Sequence, residues 1–481
     1  MLNLLKTASS LRKSVCQALG GAAASVMLLL PHAQAQELPQ VKDIFYDAIE
    51  TWESYLAFAD DLEEVLWNNS RFSETETWEI WLQNAIAAEN PSFQALAQRK
   101  LESFGVSEER IRAIYRLDPR VLTEKEVITL TFSQRSGVLP VRSNASDLHE
   151  LRRFYDEREI VDLMLLNSYG ATINVLYGTG YVGAPALNPS PVLRDASPDL
   201  LPLKQEKQIT PAGYEKRQYL ESPILSPQLS MPYLGWDWKM FNEHAFDVGT
   251  SWEFFMVGMK SSDCKHCQTH AALGMLYKGR THERIQQMYL FDQGGDFTER
   301  EQAMFEFVRS AVHLPSLVTS ETIADLEAQF TDEEIDRLVG VAAVTAFLSN
   351  YMQISAVVTD KESTDFAEEV LAPLGWRLGR HAGWREEQRA MHPTTLFRLT
   401  PGEDAVAKNL VFYRNAFFPV LIGYWGGKII GPLIMLVIEV GLAALLLMGV
   451  APRKKSAHND DDVNDGTHTD PSVMTFAAKV S

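Results

Sequence analysis

Ser251-Trp252-Glu253-Phe254-Phe255-Met256-Val257-Gly258, running on to Asp263-Cys264-Lys265-His266-Cys267-Gln268-Thr269-His270, decides how this chain is read. Its opening repeats Thr77-Trp78-Glu79 at an offset of 174 residues. In the same register Gln94 matches Gln268, and Glu109-Arg110-Ile111 matches Glu283-Arg284-Ile285. Tyr115 matches Tyr289 and Asp118 matches Asp292. A one-residue shift then carries the match onward. Thr123-Glu124 pairs with Thr298-Glu299, Glu126 with Glu301, Phe132 with Phe307, and Leu139-Pro140 with Leu314-Pro315. Leu151, Ile160 and Leu163 pair with Leu326, Ile335 and Leu338. An internal repeat of this kind is one supersecondary unit used twice. The copies are expected near 43–180 and 235–355.

Both copies read as helical. Phe254, Phe255, Val257 and Gly258 lack the strict alternation of a strand. Thr298 with Glu301, and Thr331 with Glu334, have the spacing of a capping box ahead of apolar helix positions. The first copy keeps that cap at Thr123 and Glu126. Between the copies, prolines at 185, 189, 191, 198, 202, 211, 223, 227 and 232 exclude a continuous helix over 181–234. That connector is expected to be a strap or a linker. The fold class is all-α.

The repeat separates scaffold from chemistry. Opposite Cys264, His266, Cys267 and His270 the first copy has Asn90, Ser92, Phe93 and Leu96. Cys16 is the only other cysteine and lies in a segment expected to be removed. Two cysteines three positions apart are placed for reactivity more than for packing. A free thiol with pKa near 8.5 is mostly protonated at neutral pH. A helix N-terminus, Lys265 and a nearby imidazole each favour the thiolate. The spacing lets the pair close a disulfide within one turn. His270, three residues beyond Cys267 on one helix face, can exchange a proton with it. Glu253 would orient that histidine if its helix packs alongside. Helix-dipole reasoning makes Cys264 the attacking thiol.

The remainder places the unit in the cell. The 481 residues carry a net charge of −19, which argues against a nucleic-acid partner. Lys6, Arg12 and Lys13 precede an apolar run, Ala18 to Leu30, and the small-x-small pattern Ala33-Gln34-Ala35. This reads as a signal peptide over 1–35. Ile429 to Val450 is long enough to cross a hydrocarbon core of roughly 30 Å, and its one ionisable group is Glu439. Arg453, Lys454 and Lys455 follow and belong in the cytoplasm by the positive-inside rule. The body, including a juxtamembrane segment over 356–428, is then expected on the exported side. An acidic tail over 451–481 is expected to be disordered.

Residues 251–352 resemble the alkylhydroperoxidase D-like / carboxymuconolactone decarboxylase superfamily. The resemblance rests on Glu253, Cys264-Lys265-His266-Cys267, His270, Thr298-Glu299-Arg300-Glu301 and Phe330-Thr331-Asp332-Glu333-Glu334-Ile335. Residues 77–177 resemble the same domain without cysteines. The resemblance implies an all-α unit assembled into homo-oligomers and a thiol-dependent peroxidase. Cys267 would attack a peroxide to give a sulfenic acid, and Cys264 would resolve it to a disulfide. Glu253 and His270 would relay the proton, assisted by His266. The commonest family pattern sets the histidine four residues after the second cysteine; here it is three. No cofactor is implied beyond a thiol reductant. Outside the cytoplasm that calls for a thioredoxin-like donor.

Other readings exist. A structural disulfide closing so short a loop constrains little chain entropy. Zinc could take Cys264, Cys267 and a histidine, but the second half of the usual ligand pattern is missing. Gln268 stands where a c-type haem site needs histidine. Decarboxylation or lactone chemistry in this superfamily does not need the cysteine pair. A membrane-anchored binding protein would suit the connector and the cysteine-free copy.

Overall fold

A computed structural model describes residues 38–182, 225–242, 246–357, 359 and 361–381. The signal peptide, most of the connector, the 429–450 span with Glu439, and the tail lie outside the described residues. Among those described there are sixteen α-helices and no strand longer than one isolated bridge. The all-α expectation holds.

The first copy comprises α3 (Glu74–Ala87), α4 (Pro91–Ser103), α5 (Glu108–Arg116), α6 (Glu124–Ser136), α7 (Ala145–Leu151) and α8 (Glu157–Gly178). The second comprises α10 (Val248–Ser261), α11 (Lys265–Tyr277), α12 (His282–Tyr289), α13 (Glu299–Ala311), α14 (Ser320–Gln329) and α15 (Asp332–Ser355). Their first residues differ by 174 for three pairs and by 175 for the next three, the shift that the sequence register requires. Local chemistry sets these starts. Thr123, Thr298 and Thr331 each form a full capping box with the glutamate three residues on.

Before the first copy run α1 (Val41–Ala48) and α2 (Glu53–Asn69). Before the second runs α9 (Pro227–Asn242), and after it α16 (Lys361–Val370). α9 corrects the connector expectation, because it is helical with Pro232 inside it. Pro227 at the first position needs no helical partner for its missing N–H. The interior Pro232 is tolerated because burial holds the rest of the helix. Leu229, Tyr233, Trp236 and Met240 are buried, and Trp236 Nε1 donates to Tyr55 O at 3.0 Å. α9 packs mainly on α2, so it ties the segment ahead of the first copy to the second copy's core.

The two copies join through α8 and α15, the most extensive helix pair. Asn350 Nδ2 donates to Ser136 O at 2.6 Å, and Ser168 Oγ donates to Asn350 Oδ1 at 3.2 Å. Leu139 and Leu314, equivalent in the repeat, exchange backbone hydrogen bonds of 3.2 and 3.1 Å. Asp332–Ser355 is also the one described helix long and apolar enough to cross a membrane by length and composition. Its apolar window is wholly buried in protein, which makes it the central core helix here.

Candidate active site

α10 and α11 pack side by side, joined by a short link through Asp263 in left-handed backbone (φ 58°). The first copy has the same device at Glu89 (φ 51°). Gln268 Nε2 donates to Met259 O at 2.9 Å, and its counterpart Gln94 donates to Ala85 O at 3.1 Å. The scaffold around the site is therefore the scaffold of the repeat.

What differs is the helix cap. Cys264 caps α11, its Sγ accepting from Cys267 N at 3.3 Å. Asn90 caps α4 in the same way, its Oδ1 accepting from Phe93 N at 3.1 Å. The second copy has replaced an oxygen cap by a sulfur. Cys264 and Cys267 are joined in a disulfide with Cα atoms 5.3 Å apart. Both are buried, Cys264 at 0% and Cys267 at 3% exposure.

Three imidazoles cluster here, two on α11 and a third, His381, on the 3-10 turn packed against it. His266 and His270 lie one turn apart, with ring centroids 4.3 Å apart, and His381 stacks towards His266 at 5.6 Å. His270 Nδ1 is 2.9 Å from His266 O, and His381 Nδ1 is 2.8 Å from Val357 O. A carbonyl only accepts, so both Nδ1 atoms carry hydrogen. In the neutral rings Nε2 is then the basic nitrogen. His266 Nδ1 meets Thr359 Oγ1 at 2.9 Å. Burial, then the adjacent His270 and His381, hold the His266 imidazole well below the ordinary histidine range.

Two expected contributors are engaged in ion pairs. Glu253 is buried, but its carboxylate is held by guanidinium groups. Oε1 accepts from Arg280 Nε and Arg284 Nε, both at 2.9 Å, and Oε2 accepts from Arg284 at 3.0 Å. Arg284 also reaches Glu301 at 2.5 Å. The cysteine-free copy repeats this cluster, with Arg110 between Glu79 and Glu126. An arrangement kept without thiols points to scaffold, not to a proton relay. Lys265 is paired with Asp263 at 2.6 Å, so its charge is shared.

Sequence reading brought Cys264, Cys267, His266 and His270 together, and the structure does too. It missed Thr359 and His381. They arrive on the segment read as juxtamembrane, whose described part, ending at His381, folds back as α16 and short 3-10 turns against α11, while 382–428 lie outside the described residues. Tyr277 of α11 donates to Glu362 of α16 at 2.7 Å. No local pattern marks such a return. The available signal was the pair Trp376 and His381, five residues apart. Among the described residues no group of three or more His, Cys, Asp or Glu side chains is placed to hold a metal ion.

No protein-family model, no curated protein and no solved structure matches this chain. The likeness to the alkylhydroperoxidase D-like superfamily rests on the motif residues alone.

Proposed function

We propose that the protein is a dithiol–disulfide oxidoreductase of the alkylhydroperoxidase D-like type, reducing a small hydroperoxide. One observation carries this reading. A Cys-x-x-Cys disulfide stands at the N-terminus of a helix that carries two imidazoles and meets a third, in one copy of a duplicated scaffold whose other copy has no cysteine or histidine at the matching positions.

In the reduced state the Cys267 thiolate attacks the terminal peroxide oxygen. The S–O bond forms, the O–O bond breaks, and the departing alkoxide takes a proton from the histidine cluster. Cys264, its thiolate favoured by the Cys267 N–H and the helix N-terminus, then attacks the Cys267 sulfur. The S–S bond forms and the S–O bond breaks. The leaving hydroxide takes up the proton that Cys264 released to the histidine cluster and departs as water. An external dithiol returns two electrons and two protons, and a thioredoxin-like protein is the partner of that chemistry. The signal-like N-terminus and the 429–450 span support a membrane-anchored body on the exported side, and the resemblance supports a homo-oligomer.

The purified full-length protein in detergent should consume an organic hydroperoxide with a thiol reductant. Cys267→Ser should lose nearly all of that rate. A Cys267→Ser rate equal to wild type would overturn the reading. Burial of both sulfurs favours a second reading, an internal staple. That reading expects reduction to lower the melting temperature while no peroxide is consumed.

A further inference from the structure

His381 belongs to neither copy of the repeat, yet it is 1% exposed and lies against the dithiol helix. Its segment is tied into a small knot. His381 Nδ1–H donates to Val357 O at 2.8 Å, and Thr359 N donates to His381 O at 3.2 Å. Thr359, fully buried, presents Oγ1 to His266 Nδ1 at 2.9 Å. The neighbouring Arg380 clamps the knot to both copies. Its guanidinium donates to Ser143 O at 2.9 Å and Val141 O at 3.4 Å in the first copy, and to Gln353 O at 3.2 Å in the second.

We infer that His381 is a further positioning residue of the dithiol site, acting on the thiols through His266, and that Arg380 makes the cysteine-free copy its anchor. This rests on the dithiol reading above. Burial, with an imidazole on each side, disfavours positive charge on His266, so His266 serves as a neutral partner in the cluster. Among the described residues, Arg380 beside His381 is a fixed cation that donates to backbone carbonyls, and the other charged groups named on the packed helices have partners. Glu362 of α16 is bonded to Tyr277, Glu253 of α10 to Arg280 and Arg284 (the latter from α12), and Lys265 to Asp263. Residues 341–355 of α15 carry no charged side chain. The first copy, without chemistry of its own, thereby gains a part in the site.

The test is the thiolate absorbance of the reduced full-length protein, followed against pH. Wild type should form thiolate below the ordinary cysteine value near 8.5. His381→Asn keeps a donor for Val357 O and removes the second ring nitrogen. Relieved of its neighbour, His266 should protonate more readily, and the thiolate midpoint should fall by about one pH unit. Arg380→Lys, which keeps the charge but not the forked contact with both copies, should move it in the same direction by less. If His381→Asn does not fold, Thr359→Val decides, and its midpoint should also move. A displaced wild-type midpoint with the folded variants superimposed on it overturns this inference alone. A wild-type midpoint at or above about 8.5 overturns the dithiol reading and this inference with it.

Discussion

His266 makes stability depend on pH in a direction its surroundings fix. Burial beside His270 and His381 lowers its folded pKa below the unfolded value near 6.5. The unfolded chain therefore takes up the proton first. The contribution to stability is complete above that value and is lost as the pH falls through and below it. Each full pH unit below it costs at most about 1.4 kcal/mol. Urea midpoints at about pH 7.5 and about pH 5.5 should show this loss, and His266→Gln should flatten it. An equal drop in both proteins would assign the dependence to other groups. Residue scale is also where the sequence was most legible. Cys264, His266, Cys267 and His270 sit within seven positions on one helix, so spacing alone placed them together. Thr359 and His381 join His266 from about ninety residues or more away, which local spacing cannot express.

At the scale of elements, two repeated ion clusters stitch the helices. Arg284 on α12 bridges Glu253 on α10 and Glu301 on α13, and Arg110 on α5 bridges Glu79 on α3 and Glu126 on α6. Burial of Glu253 leaves its charge costly if it is unpaired, and a lone buried partner is more destabilising than the pair is stabilising. Glu253→Gln should therefore lower stability by about 2–3 kcal/mol, discounted because Arg284 keeps some contact with water. Peroxide turnover per folded molecule should stay near wild type. A large fall in turnover with unchanged melting would restore Glu253 to the proton relay that the family resemblance implies. The repeat already held this answer, because Glu109-Arg110-Ile111 matches Glu283-Arg284-Ile285 in the same register as Glu79 and Glu253. The helix starts were legible for a similar reason, since a capping box is a local hydrogen-bond pattern. The helix through Pro232 was not. Proline's local penalty was visible in sequence, whereas the burial of Tyr233 and Trp236 that offsets it comes from distant helices.

At the scale of the molecule, the two copies share one hydrophobic core. α15 lies against α8 and α9, with Phe347 4.8 Å from Tyr169 and 4.5 Å from Tyr233 between ring centroids. Tyr55 donates to Gly340 O at 3.0 Å, and Thr51 N to Asp336 at 2.6 Å, so α15 is also held by the segment ahead of the first copy. The same helix passes as a membrane span by length and composition because its apolar window is buried in protein on every side. Taking the first copy away would expose that surface to water. At roughly 25 cal/mol per Å² of apolar area, such a loss exceeds the few kcal/mol that separate folded from unfolded states. A chain cut in the connector between Leu200 and Leu201 should therefore yield halves that are insoluble or bind a hydrophobic dye when made separately. Made together, they should copurify and recover the wild-type melting transition. The C-terminal half would carry every cysteine and histidine of the candidate site, but not the Val141 and Ser143 carbonyls that clamp Arg380. If that half alone were monodisperse and melted cooperatively, the two copies would be independent domains, and the shared core would not be what holds the dithiol helix in place.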